Sequence, residues 1–143
     1  MLNGFNDRVF HFKGSVLGFD QFDDFKFFAA EENPSFGYLE SVEDPSVGFV
    51  AVSPFHFFSG YQFEIEEKVK DELKLVKPEE VLVLSIIHVK NPFTESTVNL
   101  MAPLIINVTN NQGRQMILTQ PSMYGTKEKL LVPSSKEGGE DAC

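Results

Sequence analysis

Tryptophan is absent from this chain, and cysteine occurs once, as Cys143. A single cysteine excludes an internal disulfide and leaves no partner thiol for a metal site, which fits a reducing compartment. Long apolar runs are also missing. No stretch approaches the roughly 18–20 apolar residues that span a bilayer. No apolar run follows a basic N-terminal region, so no signal peptide is expected. These absences point to a soluble, cytoplasmic protein with no membrane association. Positive charge is scarce as well, with 12 basic against 21 acidic side chains and a net charge of −9. The densest basic group, Lys68, Lys70, Lys74 and Lys77, is interleaved with acids. A surface of that sign repels phosphates and excludes direct nucleic-acid binding as the first expectation.

The motifs of catalysis are missing too. There is no Gly-x-Ser-x-Gly, no phosphate loop and no calcium-loop register. His11, His56 and His88 lie far apart, in none of the spacings of a metal helix or finger. Acidic doublets are common, as in Asp23-Asp24, Glu31-Glu32 and Glu66-Glu67. Neighbours on a strand point to opposite faces, so a doublet does not supply two carboxylates across a cleft. Cys143 sits near Glu140 and Asp141, which disfavour a thiolate. No catalytic residue, no metal and no cofactor is expected.

What the chain does hold is phenylalanine, 15 residues in 143, within an apolar fraction of 42%. That suffices for one domain with a real core. Charge is uneven: residues 1–80 carry 16 acidic and 7 basic side chains, and residues 81–143 carry 5 of each. The negative field therefore belongs to the first half and favours a basic partner, or else keeps a Phe-rich protein soluble.

The pattern favours strands. Val9 to Phe12 alternates, and Gly14 and Gly18 bracket a turn-rich stretch. Lys26 to Ala30, Phe36 to Val42 and Val47 to Val52 follow, separated by Asn33-Pro34 and Asp44-Pro45. Tyr61, Phe63 and Ile65 alternate with polar residues as a half-buried strand would. Val69, Leu73 and Val76 share a helical face, which predicts one short helix from about Glu66 to Leu75, stopped by Pro78. Val81 to Val89 reads as a central strand, and Thr97 to Leu100 as another. Residues 105–109 and 114–119 form a hairpin around Asn110-Asn111-Gln112-Gly113, with the glycine free to take a positive backbone angle. The expected fold is mostly β: a small antiparallel β-barrel-like single domain with one short helix, over residues 1–132. Residues 133–143 are expected to be a disordered acidic tail. The pattern alone leaves barrel and sandwich both open.

One segment stands apart. Ser53-Pro54-Phe55-His56-Phe57-Phe58-Ser59-Gly60-Tyr61 places four rings between a proline and a glycine. A loop cannot easily bury four rings on one side. Phe55 and Phe58 are the natural anchors in the core, and Phe57 or Tyr61 the natural reach toward a partner.

The series Gly37-Tyr38-Leu39-Glu40-Ser41-Val42-Glu43-Asp44-Pro45, Phe49 to Phe55, and Asn91-Pro92-Phe93-Thr94-Glu95-Ser96-Thr97-Val98-Asn99-Leu100-Met101-Ala102-Pro103-Leu104-Ile105-Ile106-Asn107 resembles the FliW family. Gly113 to Leu118 resembles its closing hairpin, and Phe12-x-Gly14-Ser15-Val16-Leu17-Gly18-Phe19 is a looser match. The likeness spans roughly residues 7–132. Two departures stand out: Leu17 replaces the family proline, and the usual first strand, which precedes the Phe12 region, is shortened or absent. The resemblance implies a barrel-like, non-enzymatic flagellar assembly factor. It implies binding to flagellin and, when free, to a dimer of the translational regulator CsrA, whose repression of flagellin mRNA is thereby relieved. The free protein is then expected to be a monomer. The partner-binding residues expected are Asp44, Phe55, Phe57, Phe58, Tyr61 and Glu64. The reading from another class is a small-molecule-binding or enzymatic barrel, which needs polar groups converging in an internal pocket.

Overall fold

The computed structural model describes residues 2–118 and 124–130 of the chain. The strands are β1 (Val9–His11), β2 (Asp24–Ala29), β3 (Phe36–Ser41), β4 (Gly48–Val52), β5 (Val81–His88), β6 (Thr97–Val98), β7 (Leu104–Asn107), β8 (Gln112–Gln115) and β9 (Glu128–Lys129). One α-helix, α1 (Glu67–Leu73), precedes β5. The sheet order β4-β3-β2-β1-β8-β7-β5 closes on itself through a β4–β5 pairing, while β6 and β9 extend from β5. The result is a barrel, so the choice between barrel and sandwich falls to the barrel. Closure removes the exposed edges of its seven ring strands. One seam departs from the antiparallel pattern: β1 meets β8 in parallel through His11 and Gln112 alone.

Alternation along each strand sorts side chains to two faces. Phe10 of β1, Phe25 and Phe27 of β2, Leu39 of β3, Phe49 and Ala51 of β4, Leu84 of β5, and Leu104 and Ile106 of β7 meet inside with Phe12. Their rings stack on tilted and edge-on geometries, with Phe12 and Phe25 at 5.9 Å and Phe25 and Phe49 at 5.3 Å between centroids. The interior is thus filled with side chains. Gly113, on β8, makes room for it: a Cβ there would lie 2.6 Å from the Phe12 ring.

Outside the barrel lie two smaller cores. Helix α1 lays Val69 and Leu73 over Ile105 and Met116, with Val81 and Val83 at the margin. A second core gathers Val52, Ile87, Val98, Leu100 and Leu130 around Tyr61. The backbone here differs from the sequence expectation in three places. The helix ends at Leu73 because Lys74 adopts a left-handed cap with φ 58°. Asn107 and Asn110 then donate their Nδ2 amides to the Leu73 carbonyl, at 2.9 and 3.2 Å. Val76 therefore falls beyond the helix and stays 80% exposed. The alternating segment from Tyr61 to Ile65 joins no ladder, although its burial still alternates, because the α1 and loop packing fills its inward side without a neighbouring strand. In the β7–β8 hairpin the left-handed residue is Asn111, with φ 62°, and not Gly113. The tail expected over 133–143 lies outside the described residues.

Candidate partner surface

The outward phase of β2, β3 and β4 carries apolar side chains where a solvent-facing barrel wall usually carries polar ones. Register puts Phe28, Tyr38 and Val50 in one row across the three strands, and Phe36 beside Val52 in the next. Tyr38 lies over Gly48, where any Cβ would collide with its ring. Phe36 meets Phe57 at 5.5 Å and Phe93 at 6.0 Å. Phe28, Phe36, Tyr38, Val50 and Phe93 line an open groove of about 650 Å³, with Glu31 and Glu32 at its rim. Neither carboxylate forms an ion pair among the described residues. The groove is therefore apolar along its floor and negative along one edge. It fits a basic amphipathic segment better than a nucleic acid.

The loop after β4 borders this groove. A 3-10 turn over Pro54–His56 starts it, and Phe57 and Phe58 both donate backbone N–H groups to the Pro54 carbonyl, at 3.1 and 3.0 Å. His56 Nδ1 sits 2.9 Å from Ser35 Oγ, which ties the loop to the start of β3. Phe55 is 49% exposed and Phe93 is 41% exposed. Phe57 and Phe58 are half-buried against the second core.

The rings divide differently from the sequence expectation. Tyr61, a natural reach toward a partner by pattern, is only 4% exposed. Its hydroxyl donates to the Leu100 carbonyl at 2.7 Å, and its ring contacts Phe55, Phe63 and Tyr124. Burial, with Tyr124 nearby, pushes its phenol pKa up. Phe55, a natural anchor by pattern, is instead the most open ring of the loop. A tyrosine can be buried at that point because its hydroxyl finds an acceptor there. Phe55 has only one side left to pack against.

The two acidic candidates lie apart. Asp44 sits in the β3–β4 turn, where its Oδ1 accepts from the Ser46 hydroxyl at 2.7 Å and the Ser46 N–H at 3.1 Å. Those bonds hold its carboxyl below the usual carboxylate range. The turn and the aromatic loop occupy opposite ends of β4, roughly 14 Å apart along the strand by its rise per residue. Glu64 is exposed just past the loop. The structure thus gathers Phe55, Phe57, Phe58 and Tyr61, with Glu64 close in sequence, and leaves Asp44 at the far end.

Reading the sequence missed Phe28, Phe36, Tyr38, Val50 and Phe93, along with the groove-edge role of Glu31 and Glu32. The Phe27-Phe28 pair was the available signal, since adjacent rings on a strand must face both ways. Phe28 had no interior to enter.

The histidines do not converge. His11 Nδ1 lies 2.8 Å from Asp24 Oδ1 on the outer wall, His56 pairs with Ser35, and His88 is exposed at the end of β5. Among the described residues no group of three or more His, Cys, Asp or Glu could hold a metal ion. No helix among them is long and apolar enough to cross a membrane.

Comparison with known proteins agrees with this architecture. The FliW protein family profile matches residues 2–130. A flagellar assembly factor FliW of Clostridium beijerinckii is 37% identical over 124 residues, covering 87% of each chain. One of Oceanobacillus iheyensis is 31% identical over 131 residues, covering 92% of this chain and 88% of its own. A crystal structure of the flagellar assembly factor FliW superposes with a TM-score of 0.79 at 31% identity, over 89% of this chain and 88% of that one. A barrel with these side strands, one short α-helix among the described residues and matches of this length has one reading: the chain belongs to the FliW family.

Proposed function

We propose that this protein is a flagellar assembly factor that acts by binding other proteins and does no covalent chemistry. Flagellin occupies it while flagellin accumulates in the cytoplasm. Once flagellin is exported, the freed protein captures CsrA, two chains to one CsrA dimer, and relieves repression of flagellin mRNA. The two partners compete, so a fall in free flagellin becomes a rise in apparent CsrA affinity through linkage alone. Free in solution, the protein is a monomer. The observation that carries this reading, beside family membership, is the uncovered aromatic groove lined by Phe28, Phe36, Tyr38 and Phe93, with Glu31 and Glu32 at its edge and the exposed Phe55 on the neighbouring loop. Monomeric proteins seldom leave so large an apolar strip open without a partner for it.

Phe55, Phe57 and Phe58 are the proposed anchors, and Glu64 contributes negative charge beside them. Tyr61 acts from below, by holding the loop in place. Asp44, at the other end of β4, would meet only a partner that runs the length of the strand. The test is calorimetric titration with CsrA and, separately, with flagellin, followed by competition between the two. Saturable binding of each, with flagellin displacing CsrA, is the expected result. Binding to neither removes the assignment.

A further inference from the structure

A second pocket lies at the end of the barrel formed by the C-terminal end of β5, by β6 and by residues 126–127, with a volume of about 390 Å³. That is within the range of about 300–1,000 Å³ typical of small-molecule sites. Its floor is apolar, made by Phe19 and Phe49, whose rings lie 5.0 Å apart, and by Ile86. Its ionisable lining is His88, Lys90 and Lys127, with no carboxylate among the lining residues. In a chain with 21 acids and 12 bases, a wall carrying bases alone runs against composition.

The polar groups are also left free to act. Neither Lys90 nor Lys127 has a carboxylate within ion-pair distance among the described residues. His88 and Thr97 are cross-strand neighbours, so their side chains rise from the same face. Asn99 is oriented by its Oδ1, which accepts from the Met101 and Ala102 N–H groups at 3.0 and 3.1 Å. Its Nδ2 makes no hydrogen bond among the described residues and remains a donor. Donors and cations above an apolar floor recognise a molecule with one anionic end and one apolar end.

We propose that this pocket binds a small organic carboxylate, with its apolar body on Phe19, Phe49 and Ile86 and its carboxylate toward Lys90 and Lys127. The proposal is independent of the partner surface, since the two pockets share no lining residue.

Octanoate is the probe, titrated into the full chain and followed by amide chemical shifts. Octan-1-ol, of matching length and no charge, is the control. Saturable shifts confined to residues around Asn99, Thr97 and Thr126 are expected, in about the millimolar range for a ligand of this size. The alcohol should bind about tenfold more weakly, as should octanoate to the charge-reversed K90E/K127E double variant, given two partly screened charge contacts. An unchanged amide spectrum elsewhere shows that the double variant is folded. Equal affinity for the alcohol, unchanged octanoate binding by the double variant, shifts centred on the Phe28–Phe93 groove, or no saturation at all would each overturn the proposal.

Discussion

The two outer walls of the barrel treat the same problem in opposite ways. On the β5–β7–β8 wall, Val81, Val83, Ile105 and Met116 point outward and α1 covers them with Val69 and Leu73. On the β2–β3–β4 wall, Phe28, Phe36, Tyr38 and Val50 also point outward, and the aromatic loop and Phe93 reach only part of them. Both walls carry more apolar surface than a solvated sheet face needs. One is covered by this chain's own helix. The other keeps a groove of about 650 Å³ open to solvent. The difference separates stability from recognition: apolar side chains on the first wall should matter to folding, and rings on the second to partners.

The interior sets the scale for that contrast. Phe25→Ala removes a fully buried ring from the barrel and should cost about 3–5 kcal/mol in urea unfolding. Leu73→Ala strips the helix cover from the first wall and should cost about 2–4 kcal/mol, without a separate loss of partner affinity once the folded fraction is accounted for. A partner defect beyond that fraction would move the binding surface onto α1. The double variant F55A/F93A should reverse the pattern. Stability should fall by about 1 kcal/mol per ring because both are about half open, while CsrA or flagellin affinity, read by calorimetry, should fall at least about tenfold beyond the loss of folded fraction. The smallest effect concerns the far end of β4. Because the folded pKa of Asp44 lies below its ordinary value of 3.8, its stabilisation is present above that value and is lost as pH falls through the folded pKa. Asp44→Asn should therefore lower the thermal midpoint slightly at neutral pH and converge with the unchanged chain as pH falls from 5 to 2 (about the span of carboxylate titration), which flattens the acid limb of the stability curve.

Much of the fold was legible because it rests on local pattern. The bounds of β2, β3, β4 and β5 follow alternation and turn residues to within a residue or two. Barrel closure was not legible, because the β1–β8 seam joins His11 to Gln112 across the length of the domain and no local signal marks it. The apolar period runs on through Val76 and so overstates the helix, whereas termination is decided by Lys74 and the asparagines that cap Leu73. Half of the candidate surface was visible as the four-ring loop. Which ring faces outward was not, since the Leu100 carbonyl that draws Tyr61 inward lies 39 residues away in sequence. The groove itself needs β2, β3 and β4 in register before Phe28, Tyr38 and Val50 become neighbours.

Amide hydrogen exchange of the full chain, alone and saturated with CsrA, reads both walls in one experiment. Slowed exchange across residues 28–38, 54–58 and 91–95, with α1 unchanged, is the expected result. Protection confined to α1 and β8, with the aromatic groove exchanging as freely as before, would contradict the assignment of the open wall to partner binding.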